Sequence, residues 1–273
     1  MVVFYFLLAL AIVFALWLFL IAPSGRRSAK LDDLCRQRYA HRGLHSIERG
    51  IPENSIAAFR LAKEQGYAIE LDLHLSRDGK LVVEHDDTLL RTTGSPFTIE
   101  ESDWATLSTL RLEGTEERLP LLEEVLELID GKVALLLEAK VVGGNSIALA
   151  DAIALALQNY QGPFCVESFD PRPLARLRKV APSILRGQLA AYVRKDGAKV
   201  SRLTEFALSN LLVHALSRPD FIAYSYKDRK NLSLRLCRAF FRPPLFFWTI
   251  RDESAKEIAK KNGATPIFEK ISY

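Results

Sequence analysis

The sequence predicts an α/β protein, a TIM (β/α)8 barrel preceded by one N-terminal transmembrane helix. Strand-like and helix-like runs alternate from Arg38 onward, the pattern of parallel strands covered by helices. About eight core strands in roughly 235 residues match the ~250 residues typical of such a barrel. Val2 to Ala22 are 21 uncharged, almost wholly apolar positions. As a helix they would reach ~31 Å, close to the ~30 Å of a bilayer core. A doubly wound open sheet is the competing architecture. It commonly carries a Gly-rich phosphate turn after its first strand, and neither GxGxxG nor GxxxxGK[ST] occurs here.

Three segments follow in order: an anchor over 1–22, a linker over 23–36 and the barrel over 37–273. No Lys or Arg precedes the apolar run, and the run exceeds the short core of a signal peptide, so a retained anchor is the reading preferred over a cleaved leader. "PSGRRSAK", Pro23 to Lys30, is polar and turn-rich, as linkers are. Strands are expected at 38–42, 68–75, 80–85, 133–140, 164–169, 185–190, 221–226, 245–250 and 265–268. Helices are expected at 55–65, 121–129, 146–160, 173–180, 200–216, 230–240 and 253–261. Asn54 or Ser55 can cap the first of these helices, and Gly66 can end it; Gly263 follows the last.

Composition narrows the function. The net charge is +4 and no long basic run or base-stacking motif occurs, so nucleic acid is not an expected partner. Cys35, Cys165 and Cys237 match no metal or redox spacing. They read as small buried side chains. Arg26, Arg27, Lys30, Arg36 and Arg38 follow the apolar run at once. Positive flanks stay on the cytoplasmic side, so the expected arrangement is single-pass, with the catalytic domain in the cytoplasm. Nothing points to a protein partner.

The chemistry concentrates early. Four of the five histidines fall between His41 and His85. In "AIELDLHL", residues two apart share a strand face, so Glu70, Asp72 and His74 point together. In "ALLLEAK", Glu138 and Lys140 do the same. Buried carboxylates are costly unless paired or bound to a cation, and these lie toward C-terminal strand ends, where barrel active sites are built. Three hard oxygen ligands, Glu70, Asp72 and Glu138, suit one divalent cation, Mg²⁺ or Ca²⁺, better than Zn²⁺. The plain alternative is a structural ion-pair network. His41 and His85 end two strands and supply a general acid and a general base near neutral pH. Arg42 offers a planar fork to a phosphate oxygen. The pattern reads as metal-assisted phosphoryl chemistry.

These residues resemble a known family. "HRG" with "PENS", then "ELDLHLSRDG" and "HDDTLLRTTG", is similar to the glycerophosphodiester phosphodiesterase pattern of HRG, PENT, ExDxxxTxDG and HDxxLxRTTxG. "LPLLEEVLEL", "LLLEAK", "ESFD" and "FFWTIRD" match later pieces, so the likeness runs from Tyr39 to about Gly263. It implies a TIM barrel that hydrolyses glycerophosphodiesters to sn-glycerol 3-phosphate and an alcohol. His41 and His85 would be the acid/base pair, and Glu70, Asp72 and Glu138 the ligands of a divalent cation. Arg42 and Lys140 would contact phosphate. Glu53 would lie near the metal and glycerol, and Trp248 at the pocket wall. Asn54 is expected to cap the following helix. The ending "GATPIFEKISY" departs from the family's DGIITDYP and bears on barrel closure and the last loop. Two alternatives stay open beside a small-molecule glycerophosphodiester substrate. One is a lysophospholipase D acting on membrane lysolipids, and the other an inactive membrane-anchored barrel.

Overall fold

A computed structural model of the chain describes residues 1–197 and 200–271. Ser272 and Tyr273, the end of the segment expected to form the barrel, lie outside the described residues. Nine strands form one sheet: β1 (Tyr39–His41), β2 (Ala68–Leu75), β3 (Leu81–Val83), β4 (Leu135–Ala139), β5 (Phe164–Ser168), β6 (Arg186–Ala190), β7 (Phe221–Ser225), β8 (Leu245–Ile250) and β9 (Thr265–Phe268). β3 pairs antiparallel with β2. The other eight run parallel, and β1 pairs with both β2 and β9, which closes the barrel. The atypical ending therefore supplies the last strand, with Tyr39 opposite Ile267 and Ala40 opposite Phe268.

Period-two alternation sorts the side chains of the barrel. Tyr39, Ala68, Leu136, Cys165, Phe221, Phe246 and Ile267 fill its lower interior. Ala40, Ile69, Leu71, Leu135, Leu137 and Val166 face the surrounding helices. Continuing upward along the inward face brings His41, Glu70, Asp72, Glu138, Glu167 and Trp248 to the C-terminal end. The apolar layers beneath hold that end rigid.

Three expectations need correction. The stretch read as a linker over 23–36 contains a helix, Ala29–Cys35, capped by Ser28, whose side chain accepts from the Leu31 amide. Leu31 and Leu34 are buried against the lower interior residues and plug the bottom of the barrel. Seven residues with two buried leucines give little periodic signal, so the helix is hidden behind its polar start. The helix expected over 200–216 is two, Arg202–Ser209 and His214–Ser217. Leu211 breaks it with φ of +61° while being fully buried, so the chain turns to deliver that side chain to the core. The strand expected to reach His85 stops at Val83. There the Glu84 carboxylate accepts from the backbone amides of His85 (2.8 Å) and Asp86 (3.2 Å) in place of a ladder partner.

Val2–Ile21 is one helix, long and apolar enough to cross a membrane. Its first four turns are exposed, and its last turn is partly buried, with Phe19 still open. Ile21 is fully buried and belongs to the main core, with Trp17 and Leu18 packed beside it. Trp17 Nε1 donates to Ser233 Oγ (3.1 Å), and Arg218 Nη1 donates to the carbonyls of Phe19 (2.8 Å) and Ala22 (2.9 Å). His214 Nδ1 lies 2.9 Å from the Ile21 carbonyl, a bond only a protonated Nδ1 can make. The free carbonyls that end every helix are here taken up by the barrel.

Burial lowers the pKa of His214 from 6.5 to about 4, outweighing the Ile21 carbonyl, which raises it. The unfolded chain therefore binds a proton that the folded chain refuses between those values. Its stability contribution is complete above pH 6.5 and falls as pH drops toward 4, by an amount on the order of 3 kcal/mol. Denaturant unfolding of the full chain in detergent should show this slope, and His214→Gln should flatten it between pH 6.5 and 4. An unchanged slope in the variant would remove His214 as the cause.

Candidate active site

The "HRG" turn follows β1. Arg42 takes φ of +58° and Gly43 φ of +81°. A Cβ on Gly43 would stand 2.8 Å from Ala58 Cβ, so only glycine lets the turn lie against helix Ile56–Glu64. The turn aims the Arg42 amide at Glu70 Oε2 (3.0 Å) and its guanidinium at Glu53 Oε1 (2.8 Å) and Asp72 Oδ2 (3.4 Å). "PENS" then divides its work residue by residue. Glu53 holds Arg42. Asn54, buried at φ +52°, donates from Nδ2 to Asp72 Oδ2 (2.8 Å). Ser55 accepts from the Ala58 amide (3.1 Å) and is the helix cap. The expectation that Asn54 caps the helix is thus corrected: its side chain is turned inward to the carboxylates.

The register of neighbouring strands sets His41 opposite Glu70, Asp72 opposite Glu138, and Glu138 opposite Glu167. Oxygen atoms of Glu70, Asp72 and Glu138 all lie within 4.8 Å of one another, and all three residues are buried. Lys140 Nζ lies 3.0 Å from Asp72 Oδ1 and 2.9 Å from Glu138 Oε1. Burial, reinforced by Asp72, Glu138 and Glu167, pushes the Glu70 carboxyl well above its usual range. Burial would raise Asp72 too, but Lys140, His85 and Arg42 together hold it well below. The donor set is all oxygen, clustered and short of positive charge, which fits a divalent cation of the Mg²⁺ or Ca²⁺ kind.

Each histidine rests on a carboxylate. His41 Nδ1 is 3.3 Å from Glu269 Oε2, and its Nε2 is 4.0 Å from Glu70 Oε2. Burial lowers its pKa to about 4, more than the Glu269 hydrogen bond raises it. His85 Nδ1 is 2.7 Å from Asp86 Oδ1. Arg91 then joins Asp86 (2.6 Å) to Glu53 (2.6 Å), so charges alternate from His85 through Asp86, Arg91 and Glu53 to Arg42. His74 does not enter the cavity. It is fully buried, with Nδ1 2.7 Å from Glu100 Oε1 and Nε2 3.4 Å from the His85 carbonyl, and so braces the turn behind His85.

A cavity of about 330 Å³ opens over this floor. Of the residues expected to form the site, His41, Arg42, Glu70, His85, Glu138, Lys140 and Trp248 line it. Asp72 lies below them, within the ion cluster. Glu53 stands back, bridging the two arginines rather than lining the cavity. Sequence reasoning missed Glu167, Lys227, Arg251 and Glu269. Glu167 is buried with Oε2 unpartnered. Arg251 donates to Glu269 Oε2 from Nη2 (2.8 Å). All four stand at or just past a C-terminal strand end, the signal that identified Glu138.

Comparisons with known proteins agree with this geometry. The chain is 37% identical over 166 residues to a glycerophosphodiester phosphodiesterase of Caldanaerobacter subterraneus subsp. tengcongensis, covering 55% of this chain and 65% of the relative. A human lysophospholipase D is 34% identical over 117 residues, 36% of this chain and 37% of that one. The chain thus spans less than two thirds of the length of either curated relative. An Oleispira antarctica phosphodiesterase, solved in complex with the product sn-glycerol-3-phosphate, superposes with a TM-score of 0.71 at 25% identity, over 87% of this chain and 94% of that one. The profile of the glycerophosphoryl diester phosphodiesterase family matches residues 41–269, and the chain belongs to that family.

Proposed function

We propose that the chain is a glycerophosphodiester phosphodiesterase that cleaves its substrate to sn-glycerol 3-phosphate and an alcohol. The carrying observation is the clustering of three carboxylates on a cavity floor with His41, His85, Arg42 and Lys140 around them. Glu70, Asp72 and Glu138 would hold one divalent cation, Mg²⁺ or Ca²⁺. When bound, such an ion neutralises phosphate charge and stabilises the charge that builds in the transition state. Arg42 and Lys140 add donors to the same oxygens. Glu53 keeps the Arg42 fork in place, and Trp248 walls the glycerol side.

His41 is the group suited to act as base. With Nδ1 committed to Glu269, its Nε2 carries the lone pair, and burial keeps the ring neutral above about pH 4. It would take the proton of the attacking water or glycerol 2-hydroxyl. His85, held by Asp86 at Nδ1, would give a proton to the departing alkoxide as the P–O bond breaks. A lysolipid with the same phosphodiester is a second substrate class. It is favoured by Phe240 and Phe206, half exposed, whose rings meet Phe14 (5.8 Å) and Trp17 (6.2 Å) of the apolar helix edge-on.

His41→Ala and His85→Ala should each lower turnover of glycerophosphocholine by about 10²–10⁴-fold, and chelation of divalent ions should abolish it. Near-wild-type rates in either variant, with an unchanged unfolding midpoint, would sink the acid–base assignment. A lysolipid arm in the same assay ranks the two substrates.

We infer further that residues 1–22 are a retained anchor, 37–273 the catalytic barrel, and the barrel cytoplasmic. The basic flank supports the orientation. The burial of Ile21 in the barrel core supports retention, because cleavage would strip a packed side chain and the partners of His214 and Arg218. A fluorescent reporter at the C-terminus should glow with the barrel in the cytoplasm. A phosphatase reporter at the same place becoming active outside would overturn the topology.

A further inference from the structure

A second charged basin lies at the N-terminal end of the barrel strands, away from the carboxylates. Arg26, Arg178, Arg186 and Arg218 line it, and Phe19 and Ala22 of the apolar helix form one wall. Among the described residues, Asp220 is the one carboxylate lining the basin with these four guanidinium groups, and it is already engaged. Its Oδ2 accepts from the Arg186 amide (2.9 Å) and Nη2 (3.2 Å), and its Oδ1 accepts from Ser24 Oγ (2.7 Å). Arg26 Nε stands 3.7 Å away.

Arg26 also donates from Nη2 to the Pro182 carbonyl (2.7 Å), and Arg218 is taken up by the helix carbonyls of Phe19 and Ala22, but the charge of four guanidinium groups still exceeds that of one carboxylate. Arg178 sits in the last turn of helix Pro171–Val180, where the helix dipole welcomes a cation, and forms no ion pair among the described residues. That accounts for one arginine. It does not account for Arg186, whose side chain is 3% exposed while its Nη1 has no hydrogen-bond partner. A buried guanidinium nitrogen left unpaired is expensive, and neighbouring arginines make it more so. Burial, then Arg26 and Arg178, shift Arg186 and its proton affinity downward. With Nε on the Ile184 carbonyl (3.3 Å) and Nη2 on Asp220, the open Nη1 beside two further guanidinium groups is a donor suited to a phosphate oxygen.

We propose that this basin binds a phosphate group, presented either by an anionic phospholipid headgroup or as free phosphate. The lipid source rests on the membrane reading given above. On that reading the helix meets the barrel from Trp17 onward, so the basin walled by Phe19 and Ala22 lies just outside the apolar span, at headgroup level. Arg218, stacked 4.5 Å over the Phe19 ring while holding the Ala22 carbonyl, ties the basin to the helix end.

The test uses the full chain in neutral detergent. Thermal unfolding is followed with short-chain phosphatidylglycerol, with phosphatidylcholine, whose choline cancels the charge, and with inorganic phosphate. Wild type is compared with Arg178→Gln, Arg26→Gln and, to separate the catalytic cavity, Arg42→Gln. Phosphatidylglycerol should raise the midpoint in wild type and Arg42→Gln, with apparent affinity at least about tenfold weaker in Arg178→Gln and Arg26→Gln. The same dependence with inorganic phosphate alone supports the site with a soluble occupant. No shift with either ligand, a shift indifferent to Arg178 and Arg26, or one lost in Arg42→Gln overturns the proposal. Alkaline extraction of membranes tests the anchor separately: a chain that washes off yet keeps Arg178-dependent phosphate binding refutes the membrane reading alone.

Discussion

The constraint on which the rest of the structure depends is charge balance in the upper layer of the barrel. Glu70, Asp72, Glu138 and Glu167 are all buried there, and Arg42 and Lys140 are the basic side chains paired with Asp72. Isolated charges in such surroundings are costly by several kcal/mol each. Burial and mutual repulsion push both Glu70 and Glu167 well above the usual carboxylate range, and a dication held among these carboxylates would supply the positive charge that the floor lacks. Much local oddity in the chain follows from this demand. The positive φ of Arg42, the inward turn of Asn54 and the close approach of Gly43 to Ala58 each serve to bring a donor to the carboxylates.

The two ends of the barrel solve opposite problems. At the lower end, apolar side chains must be kept from water, and the helix Ala29–Cys35 does so by inserting Leu31 and Leu34. At the same end the apolar N-terminal helix surrenders its final turn to the barrel core through Ile21. The joint between helix and barrel is therefore packed and hydrogen-bonded, not a tether. The barrel's orientation relative to that helix is set by Trp17, His214 and Arg218, with consequences for how the cavity faces whatever surface the helix enters.

The sequence made the repeat legible because the barrel is regular where it is buried. Period-two alternation placed Glu70, Asp72 and Glu138 on one face, and the structure brings them within 4.8 Å. Glu167 carries the same signal in "CVESF", inside the strand expected at 164–169, but no second charged residue shares its face there as Lys140 does with Glu138. Lys227, Arg251 and Glu269 follow strands by one or two residues, where no periodicity extends. Their roles depend on which loop folds over which, and that is tertiary information. Glu269 is the clearest case. The ending differs from the family pattern, yet its carboxylate reaches His41 from the strand that closes the barrel. The helix Ala29–Cys35 was illegible for a different reason: seven residues are too few for a 3.6-residue period to show.

The short insert between His85 and Leu119 has a structural logic of its own. Leu89, Ile99, Leu107, Leu112 and Leu119 form a small separate core with Val82 and Leu121. That core fixes the helix Leu90–Thr93, which carries Arg91. Arg91 is the middle link between Asp86 and Glu53, and through them between His85 and Arg42. Exposed ion pairs singly contribute little, and Arg91 is 46% exposed. In a chain of alternating charges, however, each ordered member lowers the entropy cost of ordering the next. Packing of apolar residues remote from the cavity thereby reaches His85 and Arg42, two side chains that lie on different loops and share no direct contact. The insert contributes none of the expected site residues beyond His85 itself, yet it decides how far apart His85 and Arg42 are held.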